Sequence, residues 1–204
     1  MKVANLIRCC GSAMTLAAMM FSVAFLRAQT PELENKVRSG DSEIHRMRVA
    51  DQDDRRGAMK KSKAEWNQLA QRDVVRRKRT LEIYRSGGLK TGGDFFDAAL
   101  ILQHGDKPDD YLLAHVLCTI AIAKGNNADA RWLSAATLDR YLQSIQQKQI
   151  FGTQYEGDEK KGYSNGSYDS GLLTDSVRKA LEVPTLEQQK KDVENLNKSV
   201  TANK

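Results

Sequence analysis

Between Pro108 and Gly125 the chain reads PDDYLLAHVLCTIAIAKG, and no other stretch constrains the fold more. At about 100° per residue its apolar side chains fall on nearly every side of a helix. Such a segment has to be surrounded, so it predicts a central buried helix with others packed around it. Pro108 is tolerated at a first helical position, and Gly125 ends the run. His115 and Thr119, on one strip of that helix, are its only interior polar breaks.

The remaining segments repeat the 3.6-residue period. With only three prolines and few β-branched runs, this predicts an all-α protein. The expected form is a compact single-domain helical bundle of about five helices with a loop-rich C-terminal part. A first helix is expected from about Asp51 to Arg85, with Trp66, Leu69, Ala70, Leu81 and Tyr84 along one stripe. SGG stops it. A second begins at TGGD, where Thr91 can cap and Asp94 suits the first turn, and runs to a C-cap at Gly105. After the central helix comes one spanning residues 128–144, then the irregular QKQIFGTQY and a polar loop from Glu156 to Gly171. LLTDSVRKALEV makes a last short helix, and the tail from Glu187 onward reads as polar and frayed.

The N-terminus has a different composition. Lys2 and Arg8 precede the uncharged AMTLAAMMFSVAFL, and RAQTPE follows, which is the layout of a secretory signal peptide. The apolar run is shorter than the roughly 20 residues of a bilayer-crossing helix, so no stable membrane anchor is expected. Cys9 and Cys10 precede the run instead of ending it, which argues against a lipid anchor. The expected plan is a signal peptide over residues 1–28, a flexible segment over 29–45, an all-α domain over 46–186 and a polar tail over 187–204. The mature protein would be periplasmic or extracellular. Removing residues 1–28 takes away three basic residues and no acidic one, lowering the net charge from +6 to +3. That balance suggests no nucleic-acid surface. Cys118 is then the sole cysteine, so stability must come from packing.

Within the helix over residues 128–144, AATLDRYL places Asp139 on the inward arc with Trp132, Ala135 and Leu138. Arg131 shares that arc and Arg140 sits at its edge. Buried charge is costly unless paired, so Asp139 needs partners. Other polar residues predicted at inward positions or helix ends are Asp51, Gln52, Arg55, Asp73, Arg77, Gln103, His104 and His115. Gln149, Thr153 and Gln154 lie on the loop that follows. Asp73 and Arg77 are spaced to pair with each other. An architectural role, with ion pairs and helix caps only, would account for any single pair. The variety of groups exceeds that need and points to a pocket between helices.

The motifs ADQDDR (50–55), RDVVRR (72–77) after Trp66, AALILQHGD (98–106), LDR (138–140), QIFGTQ (149–154) and VRKALEVPTLEQ (177–188) span most of the chain beyond residue 28. As an ordered set they resemble a bacterial family of uncharacterised all-α domains, a domain of unknown function. Where many members carry a Gly-Trp-Pro-like turn, this chain has SGGLKTGGDF. The resemblance implies that these polar elements belong to one fold and supplies no activity.

Two chemistries follow from the residue types. The first is binding of a small polar or anionic ligand. Arg131 and Arg140 would supply planar donors, with Gln149, Thr153 and Gln154 on a loop whose glycine permits close backbone approach. Gln103, His115, Asp51 and Arg55 would complete the site. The second is acid–base catalysis by His104, tuned by Asp139, because a carboxylate fixes the imidazole tautomer and raises its pKa. His104, beside Gly105, is expected to reach solvent, and His115 to be held neutral in the core. No metal is assigned, since nothing like HExxH supports one, and no cofactor, since neither a phosphate-binding glycine loop nor a dinucleotide fingerprint occurs. Cys118 reads as an inert buried thiol, and Ser134 has no nucleophile elbow around it. A helical-repeat scaffold is the competing class. The segment from Tyr111 to Leu142 resembles one tetratricopeptide-type hairpin, but such repeats stack in numbers and only one copy is present.

Overall fold

The computed structural model describes residues 42–57, 61–125, 128–158 and 161–202. The signal-peptide assignment and nearly all of the segment over 29–45 lie outside the described residues. Helix α1 (Glu43–Arg55) starts where the Ser42 hydroxyl accepts from the His45 amide. Helix α2 (Lys63–Arg85) starts at a reciprocal capping box between Ser62 and Glu65. The single helix expected over 51–85 is therefore two. Gly57, at φ +67°, takes a left-handed conformation between them that a side chain would resist.

Helix α3 (Gly92–Leu102) has the expected Thr91–Asp94 capping box. Helix α4 (Pro108–Ala123) carries its proline in the first turn, and α5 (Ala128–Ser144) follows. Strands β1 (Glu156–Asp158) and β2 (Gly162–Ser164) pair antiparallel, with Gly157 opposite Tyr163. Helices α6 (Asp175–Ala180) and α7 (Leu186–Ala202) complete the described chain. The protein is all-α, with this small hairpin as an addition.

The main core is built by α3, α4 and α5, joined by Ile44 of α1. Its central helix is α3, in which every residue but Phe95 is buried. Helix α4, expected in that place, is one-sided: Ala114, Leu117, Cys118 and Ala121 face inward, whereas Leu112 and Val116 are 37% and 43% exposed. Overall apolarity misleads here because α4 has α3 and α5 on one side and water on the other.

A second, smaller core lies on another face of α5, where Ala135 and Leu138 meet Ile150, Phe151, Leu173, Leu181 and Val183. The tail, expected to fray, is helical over most of its length. Gln189 of α7 is buried and donates to the Phe151 carbonyl, and Asn197 brackets Tyr163 of β2 by accepting from its amide and donating to its carbonyl.

Helices α1 and α2 pack differently from the rest. Their buried positions are Ile44, Arg48, Asp51 and Arg55 on one and Leu69, Asp73, Arg76 and Thr80 on the other. Of the apolar stripe expected on α2, Leu69 is buried, but Ala70 and Tyr84 are exposed. The inward stripe of this pair is ionic. Among the described residues no helix is long and apolar enough to cross a membrane.

Candidate functional site

The ionic stripes bring together side chains from α1, α2 and the end of α3. Arg55 donates to Asp51 Oδ1 and to Asp73 Oδ2, both at 2.7 Å. Arg76 donates to Asp73 Oδ1 at 2.7 Å and to Asp54 Oδ2 at 2.6 Å, and Arg72 joins Asp54 from the surface. Gln52 donates to Asp51 Oδ2 at 2.8 Å. Asp51 is fully buried, and that desolvation pushes its carboxyl up to about 7 against the pull of Arg55. Asp73 therefore pairs with Arg55 and Arg76, not with Arg77 as its spacing suggests. Arg77 instead reaches Asp106 at 3.1 Å and Asp110 at 3.6 Å, tying α2 to the turn between α3 and α4.

His104, just past the end of α3, meets this network. Its Nε2 lies 3.6 Å from Asp51 Oδ2 and has no hydrogen-bond partner. Only 9% of its side chain is exposed, contrary to the expectation that it reaches solvent. Burial holds its pKa well below the usual imidazole range, and the nearby charges of Arg55, Arg140 and Arg76 push it the same way. His104 is thus held neutral. His115 is half-buried, with Nδ1 2.9 Å from the Ser134 carbonyl and 3.1 Å from the Ser134 hydroxyl. His104 is more enclosed, and His115 less sealed in the core, than expected, because α3, not α4, is the core helix.

Arg140 reaches from α5 to the Gln103 carbonyl at 3.2 Å, placing a cation at the negative end of α3. Gln103 itself is 1% exposed and its Nε2 has no partner, while the buried Arg76 Nε makes no hydrogen bond and lies 3.5 Å from Asp51 Oδ1. Unsatisfied buried polar atoms are costly and rare in folded proteins. They also occur at Thr80, Arg131 and Arg178; what distinguishes the end of α3 is that they stand beside a buried ionic network.

Asp139 belongs to a different construction. Its Oδ1 accepts from the Ile150 and Phe151 amides, and its Oδ2 from the amide and hydroxyl of Thr153, all within 3.0 Å. The expected His104–Asp139 pairing does not form: the carboxylate beside His104 is Asp51. Gln149 and Gln154 also turn inward. Gln149 donates to the Gln154 and Asn165 carbonyls and accepts from the Gln154 amide, while Gln154 donates to the Ala136 carbonyl. Gly152, at φ +70°, is required in this loop, because a Cβ there would stand 2.7 Å from the Tyr168 ring.

The predicted set thus divides. Asp51, Arg55, Gln103, His104 and Arg140 gather at the end of α3, and Asp139, Gln149, Thr153 and Gln154 build the loop. Arg131 joins neither, pairing with Glu182 at 3.3 Å near the surface. Sequence reasoning missed Arg76 and Asp54 as members of this network. It also missed His45 and Arg48, which fasten α1 to Asp97 of α3 at 2.8 and 3.0 Å. The signal was Asp97 itself, a charge inside FFDAALIL. Arg178, wholly buried and donating to the Phe151 carbonyl, was hidden in a short amphipathic-looking helix.

Comparison with known proteins finds no matching family, no matching curated protein and no matching solved structure. Among the described residues no group of three or more His, Cys, Asp or Glu side chains is placed to hold a metal ion.

Proposed function

We propose that this is an exported domain that binds a small polar or anionic ligand at the end of α3, between Arg55, Arg76, Gln103, His104 and Arg140. The observation that carries this reading is that His104 Nε2, 3.6 Å from Asp51, and the side-chain nitrogen of the adjacent Gln103 are buried without hydrogen-bond partners, with Arg76 Nε held only by a 3.5 Å contact to Asp51. A site built only to fasten helices has no use for spare hydrogen-bonding capacity, since each unmet buried group costs about 1 to 3 kcal/mol. The test separates binding from stability. Gln103→Leu removes an unsatisfied amide at similar volume, so it should melt no lower than the parent while weakening the binding of a sulfate or acetate probe. A strong loss of stability with binding unchanged would reject the reading.

A second reading, acid–base catalysis, draws on the 3.6 Å approach of Asp51 Oδ2 to His104 Nε2, with Asp51 in the role first given to Asp139. It predicts a substrate whose turnover is abolished by His104→Gln without loss of binding. Export is supported by the charge and apolar pattern of residues 1–28, and mapping the N-terminus of the protein from its native host should show these residues gone. The order of the ADQDDR, QHG, LDR and QIFGTQ elements supports placing the chain in the bacterial family that they resemble.

A further inference from the structure

The spare capacity at the end of α3 has a definite sign. Both oxygens of Asp51 and both of Asp73 already accept hydrogen bonds. Gln103 Nε2, by contrast, can only donate, as can Arg76 Nε, which lies 3.5 Å from Asp51 Oδ1, and His104 Nε2 donates in one of its tautomers. A ligand that meets these atoms has to bring acceptors. A cation or an amine would find every oxygen of Asp51 and Asp73 already accepting at least one hydrogen bond.

Charge narrows the ligand further. Arg55 and Arg76 are paired with Asp51, Asp54 and Asp73, Arg140 stands near His104, and Arg72, 47% exposed, meets Asp54 from the solvent side, so the buried part of the neighbourhood is balanced before anything binds. An entering anion adds a negative charge to a desolvated region, where uncompensated charge is expensive. One group must neutralise it by taking up a proton. His104 is poorly placed to do so, because burial and three arginines disfavour its cation. Asp73 accepts from two guanidinium groups, and Asp54 is 24% exposed and also held by two.

Asp51 is the remaining candidate. From its own helix it faces Arg55 and Gln52, from α2 Asp73 and Arg76, and from the end of α3 His104. Its Oδ2 receives only the uncharged Gln52 amide, and no guanidinium donates to that oxygen; His104 Nε2 stands 3.6 Å away.

Resting on the binding reading above, we propose that the site takes up a small oxyanion together with one proton, and that the proton resides on Asp51 Oδ2. Burial already lifts the Asp51 carboxyl to about 7, so the proton is available near neutral pH. Above that value, where free Asp51 is ionised, each pH unit should weaken binding about tenfold. Below it the affinity should level off, because the proton is already in place.

Sulfate is a suitable probe, since its own charge does not change in this range, and acetate serves as a smaller one. Calorimetric titration of the purified protein in two buffers of different ionisation enthalpy, at about pH 8, reads the protons taken up per ion bound. Uptake approaching one proton, with the tenfold loss of affinity per pH unit, is the expected result. In Asp51→Asn the uptake should vanish and the pH dependence flatten. Should that variant not fold, the two-buffer comparison on the parent decides the matter. Binding without proton uptake would overturn the coupling and leave the binding site standing. Failure of both sulfate and acetate to bind at any pH would remove the site itself, and this inference with it.

Discussion

Asp51 and Asp139 are both fully buried, yet the molecule holds them in opposite ways. Asp139 receives four short hydrogen bonds, three from backbone amides and one from a hydroxyl, and those donors all belong to one loop. Asp51 receives a guanidinium and an amide, sees a second carboxylate in Asp73, and adjoins an imidazole with an unmet nitrogen. The first arrangement is complete, and its work is to fix QIFGTQ against α5. The second is crowded with charge and left partly unsatisfied. The Asp139 carboxylate is itself fully matched, so the partly matched one at Asp51 is where a function is to be sought.

The largest effect should come from breaking the complete cluster. Asp139→Ala leaves three amides and a hydroxyl without their acceptor, and should cost about 3 to 5 kcal/mol in denaturant unfolding. A loss below about 1 kcal/mol would mean that the loop is held by other contacts and that the contrast with Asp51 is misdrawn.

The next effect is one of pH. The Asp51 carboxyl is raised in the folded state, so from about pH 4 to about pH 7 it makes the native protein lose stability as pH rises. The His104 imidazole is lowered, so it acts in the reverse sense, costing stability as pH falls below about 6.5. The two oppose each other in the parent. Asp51→Asn should unmask the histidine, so that stability on acidification from about pH 6.5 falls more steeply than in the parent, by up to about 1.4 kcal/mol per pH unit. Unfolding curves at several pH values check this, and parallel profiles for parent and variant would contradict it.

Much of the fold could be read from the sequence where one rule acted alone. The Thr91–Asp94 box, Pro108 opening α4 and the helix over 128–144 are local features set by capping and period, and the structure has them. The joint between α1 and α2 was not legible, because DRRGAMKKSK offers Gly57 as its only break among good helix formers. The ionic stripes were missed for a related reason. Asp54 and Arg76 look like solvent-facing residues until another helix brings their counterions. For the site, the inward position of Asp139 followed from helical angle, whereas its partners and those of His104 depend on which helices meet, which spacing does not encode.

Two smaller effects sharpen the contrast. Gln103→Leu should leave stability unchanged or raise it by about 1 kcal/mol, because a buried amide with an unmet donor is replaced by hydrocarbon. A clear loss would place Gln103 among the satisfied, architectural groups. Arg131→Ala should change stability by no more than about 0.5 kcal/mol, since its pairing with Glu182 is partly solvated on both sides. A thermal melt distinguishes these outcomes.

The position of α5 between two cores bears on how the chain is made. Ala130 and Leu133 belong to the core shared with α3 and α4, while Ala135 meets Phe151 and Val183 in the smaller one. Three buried apolar side chains are too few to hold a folded unit by themselves. During N-to-C synthesis, α3, α4 and α5 emerge first and can assemble without the rest. The C-terminal third then arrives as a late passenger, whose loop, hairpin and last helices condense onto a surface that α5 already presents. A released fragment ending near Ser144 should therefore protect α3 from proteolysis, whereas residues 145–202 made separately should be digested throughout.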